Sequence, residues 1–227
     1  FEILGNETSV QPFLIEQVAA SKPRLKTLLR DWKKLVLKPY SSNRGRSIFI
    51  LKYVDGKSCL LKSDKEEIQL TVDQAWDRMG ANENWMIQKY VPSVTSDGKP
   101  FDIRVPVFRG HQARWQQADM YARVGQSHVT SNLATGGSAL DGRSFLKQLL
   151  GEPTSDQVYT EIKKATQKIV DVLQAHYDFE IDAFGCDFGL DGAKPYLFEV
   201  NSYPGLKGCY KTAVPIKVDF YKYLLDA

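Results

Sequence analysis

FGCDFGLDG at residues 184–192 and YLFEVN at residues 196–201 decide the fold. Two largely apolar runs flank the turn dipeptide Asp191-Gly192, the pattern of a β-hairpin. Asp187 falls in the first strand. Glu199 and Asn201 fall two apart in the second, so they share a face. Three oxygen-bearing side chains therefore converge at one end of a sheet. Hard oxygen ligands of this kind suit magnesium, which also takes phosphate oxygens from a nucleotide. Taken singly, Asp187 reads equally well as a solvated strand position. Glu199 lies between Phe198 and Val200 in an apolar strand, where a carboxylate needs a partner or an ion. The set is expected to hold a metal.

Upstream of the hairpin, Val158, Ile162, Ala165, Ile169, Val172 and Leu173 recur at helical spacing. They predict a helix over 155–177, with Thr154 and Gln157 as its capping box. Residues 101–108 alternate apolar with polar, as a half-buried strand does. Residues 114–124 follow as its hairpin partner. Asp102 and Arg104 point to one face of the first of these strands, and Arg123 lies in the second. Guanidinium groups beside a phosphate would stabilise charge that develops during transfer. The glycines Gly136 and Gly137 are explained by a tight turn.

Nearer the start, LVLKPYSSNRGRSIFIL spans residues 35–51. A buried strand ends in Lys38, and a turn-rich loop leads into another strand. A lysine there can act as a point charge on phosphate, and loop N–H groups can cradle phosphate oxygens. The P-loop pattern is absent, and Gly45 is the loop's one glycine. Arg44 and Arg46 add phosphate contacts or are solvated. Residues 59–61 and 68–71 hold further short strands, 72–79 a helix, and 85–90 a strand. Residues 11–31 read as a helix broken or started at Pro23, and 216–225 as a last helix. Runs of strands and helices without a βαβ repeat give an α+β class in two lobes.

The order of these pieces resembles the ATP-grasp superfamily. It is most similar to the YheC/YheD group, described as endospore coat-associated, and more distantly to RimK-type glutamate ligases. The matching pieces are LVLKPYSSNRGRSIFIL, WMIQKYV, PFDIRVPV, ARVG, TSNLATGG, FGCDFGL and FEVNSYPGL, between residues 35 and 206. The resemblance implies two α+β lobes clasping a nucleotide between antiparallel sheets. It implies a lead-in at 1–34, a small lobe at 35–91 and a large lobe at 92–227. Lys38 and Arg46 would contact phosphates, with Gly45 in the loop that closes over them. Gln88, Lys89, Tyr90 and Val91 would form the hinge that reads adenine. Asp102 and Asn132 would line the nucleotide, Arg104 and Arg123 would act on the transferred group, and Asp187, Glu199 and Asn201 would hold one or two magnesium or manganese ions.

The implied activity is an ATP- and magnesium-dependent joining of a carboxylate to an amine through an acyl-phosphate, on small-molecule or peptide-tail substrates. A non-catalytic nucleotide-binding module of spore coat assembly and a kinase are the alternatives. Departures from the family pattern are the glycine-poor loop, Gln88 where many relatives carry Glu, and the lack of a complete N-terminal lobe before residue 35.

Composition narrows the rest. The 227 residues are 43% hydrophobic and 25% charged, enough for a sizeable core without disulfides. Cys59, Cys186 and Cys209 form no C-x-x-C pair, which argues against a zinc site or disulfide framework and for a reducing, cytoplasmic setting. No apolar run spans a membrane. Residues 1–5, FEILG, lack the layout of a signal peptide and begin without methionine, so a segment of a longer protein is expected. Nine of residues 22–46 are basic, but a net charge of +3 is too small to imply a nucleic-acid partner.

Overall fold

The structure, a computed structural model, describes residues 2–40, 48–82, 84–126, 129, 131 and 136–226. The chain divides into two compact units. The first holds the described residues of 1–14, 101–124 and 138–227, and the second holds those of 15–100 and 125–137. Residues 1–34 thus divide between the units, 1–14 in one and 15–34 in the other, where the sequence reading expected one lead-in.

A short helix, α1 (Glu2–Gly5), opens the first unit. The second unit begins with β1 (Gln17–Ala19) and α2 (Lys22–Trp32), where one broken helix over 11–31 was expected. Ser21 ends the strand segment by capping α2, its hydroxyl accepting from the Arg24 N–H. Pro23 fits the first turn, where its missing N–H has no helical partner. Next come β2 (Lys34–Pro39), β3 (Phe49–Tyr53), β4 (Ser58–Lys62), β5 (Glu67–Thr71), α3 (Val72–Met79) and β6 (Trp85–Lys89). The helix α3 is framed by a capping box between Thr71 and Gln74 and by Gly80 at φ 63°.

The strands form an antiparallel sheet in the order β1-β6-β2-β3-β4-β5. One face packs Leu35, Leu37, Leu51, Leu61 and Ile87 against Leu25 and Leu29 of α2 and Ala75 of α3. Strand alternation gives the opposite face Lys34, Val36, Lys38, Lys52 and Gln88.

The first unit resumes with β7 (Phe101–Arg109), β8 (Trp115–Gln117), β9 (Tyr121–Val124), β10 (Ser138–Asp141), α4 (Gly142–Leu150) and α5 (Thr154–His176). It ends with β11 (Ala183–Asp191), β12 (Lys194–Asn201) and α6 (Tyr210–Asp226). The sheet order is β10-β9-β7-β11-β12, with β8 also on β7. The partner expected over 114–124 is split in two around Pro106. Proline has no N–H for a ladder, and the Pro106 carbonyl instead accepts from Ala118 N–H at 2.9 Å. The β11–β12 loop closes at Asp191 opposite Lys194, with Gly192 at φ 58° supplying the left-handed residue a tight hairpin needs.

Helix α5 lays Val158, Ile162, Ala165, Ile169 and Leu173 on the sheet's core face, as the periodicity requires. Its cap differs from expectation. Thr154 is already helical, and the N-cap position falls on Pro153, which makes no side-chain cap bond. The strand β7 also differs, because Phe101–Phe108 are buried on both faces. Its alternation separates an apolar core from a buried charged layer, not core from water. Among the described residues no helix is long and apolar enough to cross a membrane.

Candidate functional site

The polar face of the first unit's sheet gathers six expected residues from four strands. On β7, Phe101, Ile103 and Val105 enter the core, so Asp102 and Arg104 take the other face. Register then sets their partners. Asp102 stands opposite Arg123 of β9, and Arg104 stands opposite Asp187 of β11. Asp187 in turn faces Glu199 of β12, and Asn201 faces Gly185.

A β-bulge positions Glu199. Phe188 pairs with Leu197, whereas Asp187 pairs with Glu199, so β12 carries one extra residue at Phe198. Plain alternation would put Glu199 on the same side as buried Leu197. The bulge turns it to the charged face instead. Gly189 makes room for this arrangement, since a Cβ there would meet the Phe198 ring at 2.0 Å. Gly185 does the same for Arg104 and Pro204, whose atoms lie 3.2 and 2.8 Å from where its Cβ would be.

The result is a clasp of alternating charges. Arg104 donates through Nε and Nη2 to the two oxygens of Asp187, the latter at 2.6 Å. Arg123 donates to both oxygens of Asp102, at 2.6 and 2.8 Å, and to Asp187 Oδ2 at 2.6 Å. The side chain of Asp187 is 1% exposed. Burial opposes its charge, but Arg123 and Arg104 outweigh that and hold its pKa below the ordinary aspartate value. Burial likewise opposes the charge of Arg123, and Asp187 and Asp102 overcome it and push its pKa up. Bidentate guanidinium–carboxylate pairs fix both position and orientation.

Glu199 corrects one expectation. Its side chain is 55% exposed, not buried among Phe198 and Val200. The buried carboxylate that demands partners is Asp187, and arginines supply them. Glu199 Oε1 accepts from Asn201 Nδ2 at 2.9 Å and lies 4.0 Å from Arg104 Nη2. Loss of surrounding water and then the Asp187 charge raise the Glu199 pKa.

Among the described residues no three His, Cys, Asp or Glu side chains come together as a metal site. The expected set is two carboxylates and an amide. Asn201 turns its Nδ2 toward Glu199, so the carboxylate of Glu199 is the oxygen ligand presented to a hard cation, and Asn201 would add its oxygen only on turning its amide over. Asp187 Oδ2 accepts from both guanidinium groups and Oδ1 from one, which leaves Oδ1 a lone pair for such a site.

Lys38, Gln88, Lys89, Tyr90 and Val91 belong to the second unit. Gln88 is buried and its Nε2 donates to Gln17 Oε1 at 2.9 Å. The Lys89 N–H donates to the Glu16 carbonyl, and the Val91 carbonyl accepts from Ser93. Gly45, Arg46 and Asn132 lie outside the described residues. The sequence reading missed Tyr121, which is buried opposite Arg104 with its ring against Gly208. Its position two residues before Arg123 was the available signal.

Solved structures share this architecture. D-cycloserine synthetase DcsG superposes with a TM-score of 0.58 at 15% identity, covering 98% of this chain and 69% of that one. The D-alanine–D-alanine ligase of Bacillus anthracis, complexed with ATP, gives 0.55 at 17%, covering 99% and 61%. At such identities the likeness concerns the fold, which is ATP-grasp. The family described as YheC/D like ATP-grasp matches residues 1–226, and the chain belongs to it. Two Bacillus subtilis proteins, the endospore coat-associated proteins YheD and YheC, are each 24% identical. The matches cover 90% and 96% of this chain but 47% and 62% of those proteins, so the chain spans about half to three-fifths of its curated relatives.

Proposed function

We propose that the chain binds Mg-ATP and catalyses an ATP-dependent joining of a carboxylate to an amine. The observation that carries this reading is the charged sheet face, where two guanidinium groups held by bidentate pairs lie beside the Glu199 carboxylate and its neighbour Asn201. The γ-phosphoryl group passes from ATP to a substrate carboxylate oxygen, and ADP leaves. The amine nitrogen then forms a bond to the acyl carbon, phosphate departs with the electrons of the C–O bond, and the amine proton goes to solvent.

In this reading Arg104 and Arg123 stabilise the negative charge that builds on the transferred group. Asp102 keeps Arg123 oriented, which is positioning supplied before the reaction. Glu199, Asn201 and Asp187 would hold magnesium, whose charge would neutralise phosphate oxygens. Lys38, Gly45, Arg46 and Asn132 are assigned to phosphates and nucleotide, and Gln88, Lys89, Tyr90 and Val91 to the adenine edge. Small molecules and peptide tails fit as acceptors. Two proteins of the same fold are named a D-cycloserine synthetase and a D-alanine–D-alanine ligase, which supports small-molecule substrates. A binding-only role in coat assembly is the second reading. It is favoured by the engagement of both Asp187 oxygens with arginine, and the relatives are named as endospore coat-associated.

A thermal-shift titration with magnesium and ATP on wild type and Glu199→Gln tests the site. A ligand that binds only the folded state raises Tm with saturation. A magnesium-dependent rise that shrinks in the variant supports the assignment. Equal shifts in both proteins remove Glu199 from it. ADP release on adding amine and carboxylate pairs then separates ligase from binding module.

A further inference from the structure

Helix α6 is apolar round more of its circumference than its own unit covers. Its inner face is set by Ala213 and Phe220, which are buried, and by Lys217, whose ammonium lies 5.4 Å from the centre of the Phe108 ring on β7. Tyr223 adds an edge-on contact to His111, with 6.5 Å between ring centres. A second row, Val214, Val218, Tyr221 and Leu225, lies about 110° round the helix at ~3.6 residues per turn. Val214 is half-buried, and Val218, Tyr221 and Leu225 are 42%, 51% and 86% exposed. Lys211, Asp219, Lys222 and Asp226, all exposed, fill the remaining face.

The row steps by four, three and four residues, the spacing at which one helix presents a seam to another. Single apolar residues scattered on a surface need no partner, whereas a contiguous row marks an interaction face. The charges choose the occupant. Two copies of α6 laid antiparallel, with Val218 beside the partner's Tyr221, also bring Val214 beside the partner's Leu225. In that register Lys222 comes within two residues of the level of the partner's Asp219, and Lys211 within two of the partner's Asp226, about 3 Å along the axis. Opposite charges therefore flank the seam at both ends. A parallel pair in register would instead set each lysine beside its own copy.

We propose that two copies of this chain pair antiparallel through α6, with Val214, Val218, Tyr221 and Leu225 as the buried seam. The contact uses the same surface on both copies, so it closes at two. A helix of 17 residues is about 25 Å long and offers a strip about 10 Å wide, so the two copies cover roughly 500 Å² between them. That is below the ~1,200 Å² of a stable interface, and the dimer is therefore a weak one that concentration drives. No residue of α6 belongs to the charged sheet face, so the pairing does not depend on the nucleotide reading.

Sedimentation equilibrium from roughly 5 to 500 µM, a wide span of mass action, tests the pairing. The mass should climb from that of one chain toward twice it, with no larger species. Val218→Asp and Leu225→Asp, both at exposed positions, should hold it at one chain throughout. Lys222→Glu sets like charges beside the partner's Asp219 and should weaken dimerisation about tenfold, through two surface pairs per dimer. The double variant Lys222→Glu/Asp219→Lys reverses both signs and should restore it to within about twofold of wild type. These charge variants keep the test decisive even if an aspartate in the seam unwinds α6. A mass of one chain at every concentration overturns the proposal. So does a dimer that survives Val218→Asp and Leu225→Asp, or one that the charge reversal fails to restore.

Discussion

Replacing Asp187 with asparagine removes one charge from a side chain that is 1% exposed and leaves its volume almost unchanged. Arg123 keeps its two bonds to Asp102. Arg104 is worse placed. It loses a bidentate partner and retains only the Glu199 carboxylate, at 4.0 Å. Its own side chain is 8% exposed, so water cannot take over. Removing one partner of a buried ion pair costs about 3–5 kcal/mol. The asparagine oxygen still accepts one hydrogen bond, which places the expected loss near 3 kcal/mol, the low end of that range. The double variant Arg104→Met/Asp187→Leu should cost less than Asp187→Asn, because an apolar pair of similar size leaves no orphaned charge between those two positions.

The assay is hydrogen exchange of the β7 and β11 amides in a urea series, which reports on the first unit by itself. A pH series adds a second check. The folded pKa of Asp187 lies below its unfolded value of 3.8, so its stabilisation is complete above that value and drains away as pH falls through the folded pKa. Wild type and Asp187→Asn should therefore converge in acid. A loss below about 1 kcal/mol at neutral pH, the range of an exposed pair, would refute the reasoning. A gap that stays constant down to acid unfolding would refute it equally.

Three further outcomes are expected. Glu199→Gln should raise Tm slightly at neutral pH without ligand. The raised folded pKa means that the charged form is disfavoured in the fold, a penalty present above the folded pKa and gone below the unfolded value of 4.5. With the side chain 55% exposed, the gain stays under about 1 kcal/mol, and calorimetry at neutral pH and near pH 4 reads it. Gly189→Ala should cost about 1–3 kcal/mol by urea denaturation, because its Cβ would occupy the position of the Phe198 ring, and it should also weaken any Glu199-dependent ligand shift. Thr71→Ala should cost about 1 kcal/mol through loss of the α3 capping box, with no effect on the first unit's exchange rates.

The amino-acid sequence alone determined the local elements and the facing of residues within one strand. The hairpin over 184–201, helix α5 and helix α3 follow from periods of 2 and 3.6, which are short-range properties. Glu199 and Asn201 do share a face, as spacing required. The edge strand β10 was not legible, because Ser138–Asp141 are all exposed and carry no alternation of apolar and polar residues. Pairing between distant strands was decided only by the tertiary structure. Arg104 and Asp187 stand 83 positions apart and meet because β7 lies beside β11, a choice made by the apolar face both strands share over α5. Two more facts were settled there. The extra residue at Phe198 turned Glu199 out toward water, and burial on both faces of β11 made Asp187 the carboxylate that needs arginine. A carboxylate's need for a partner depends on how much water the fold leaves it, and sequence neighbours do not specify that.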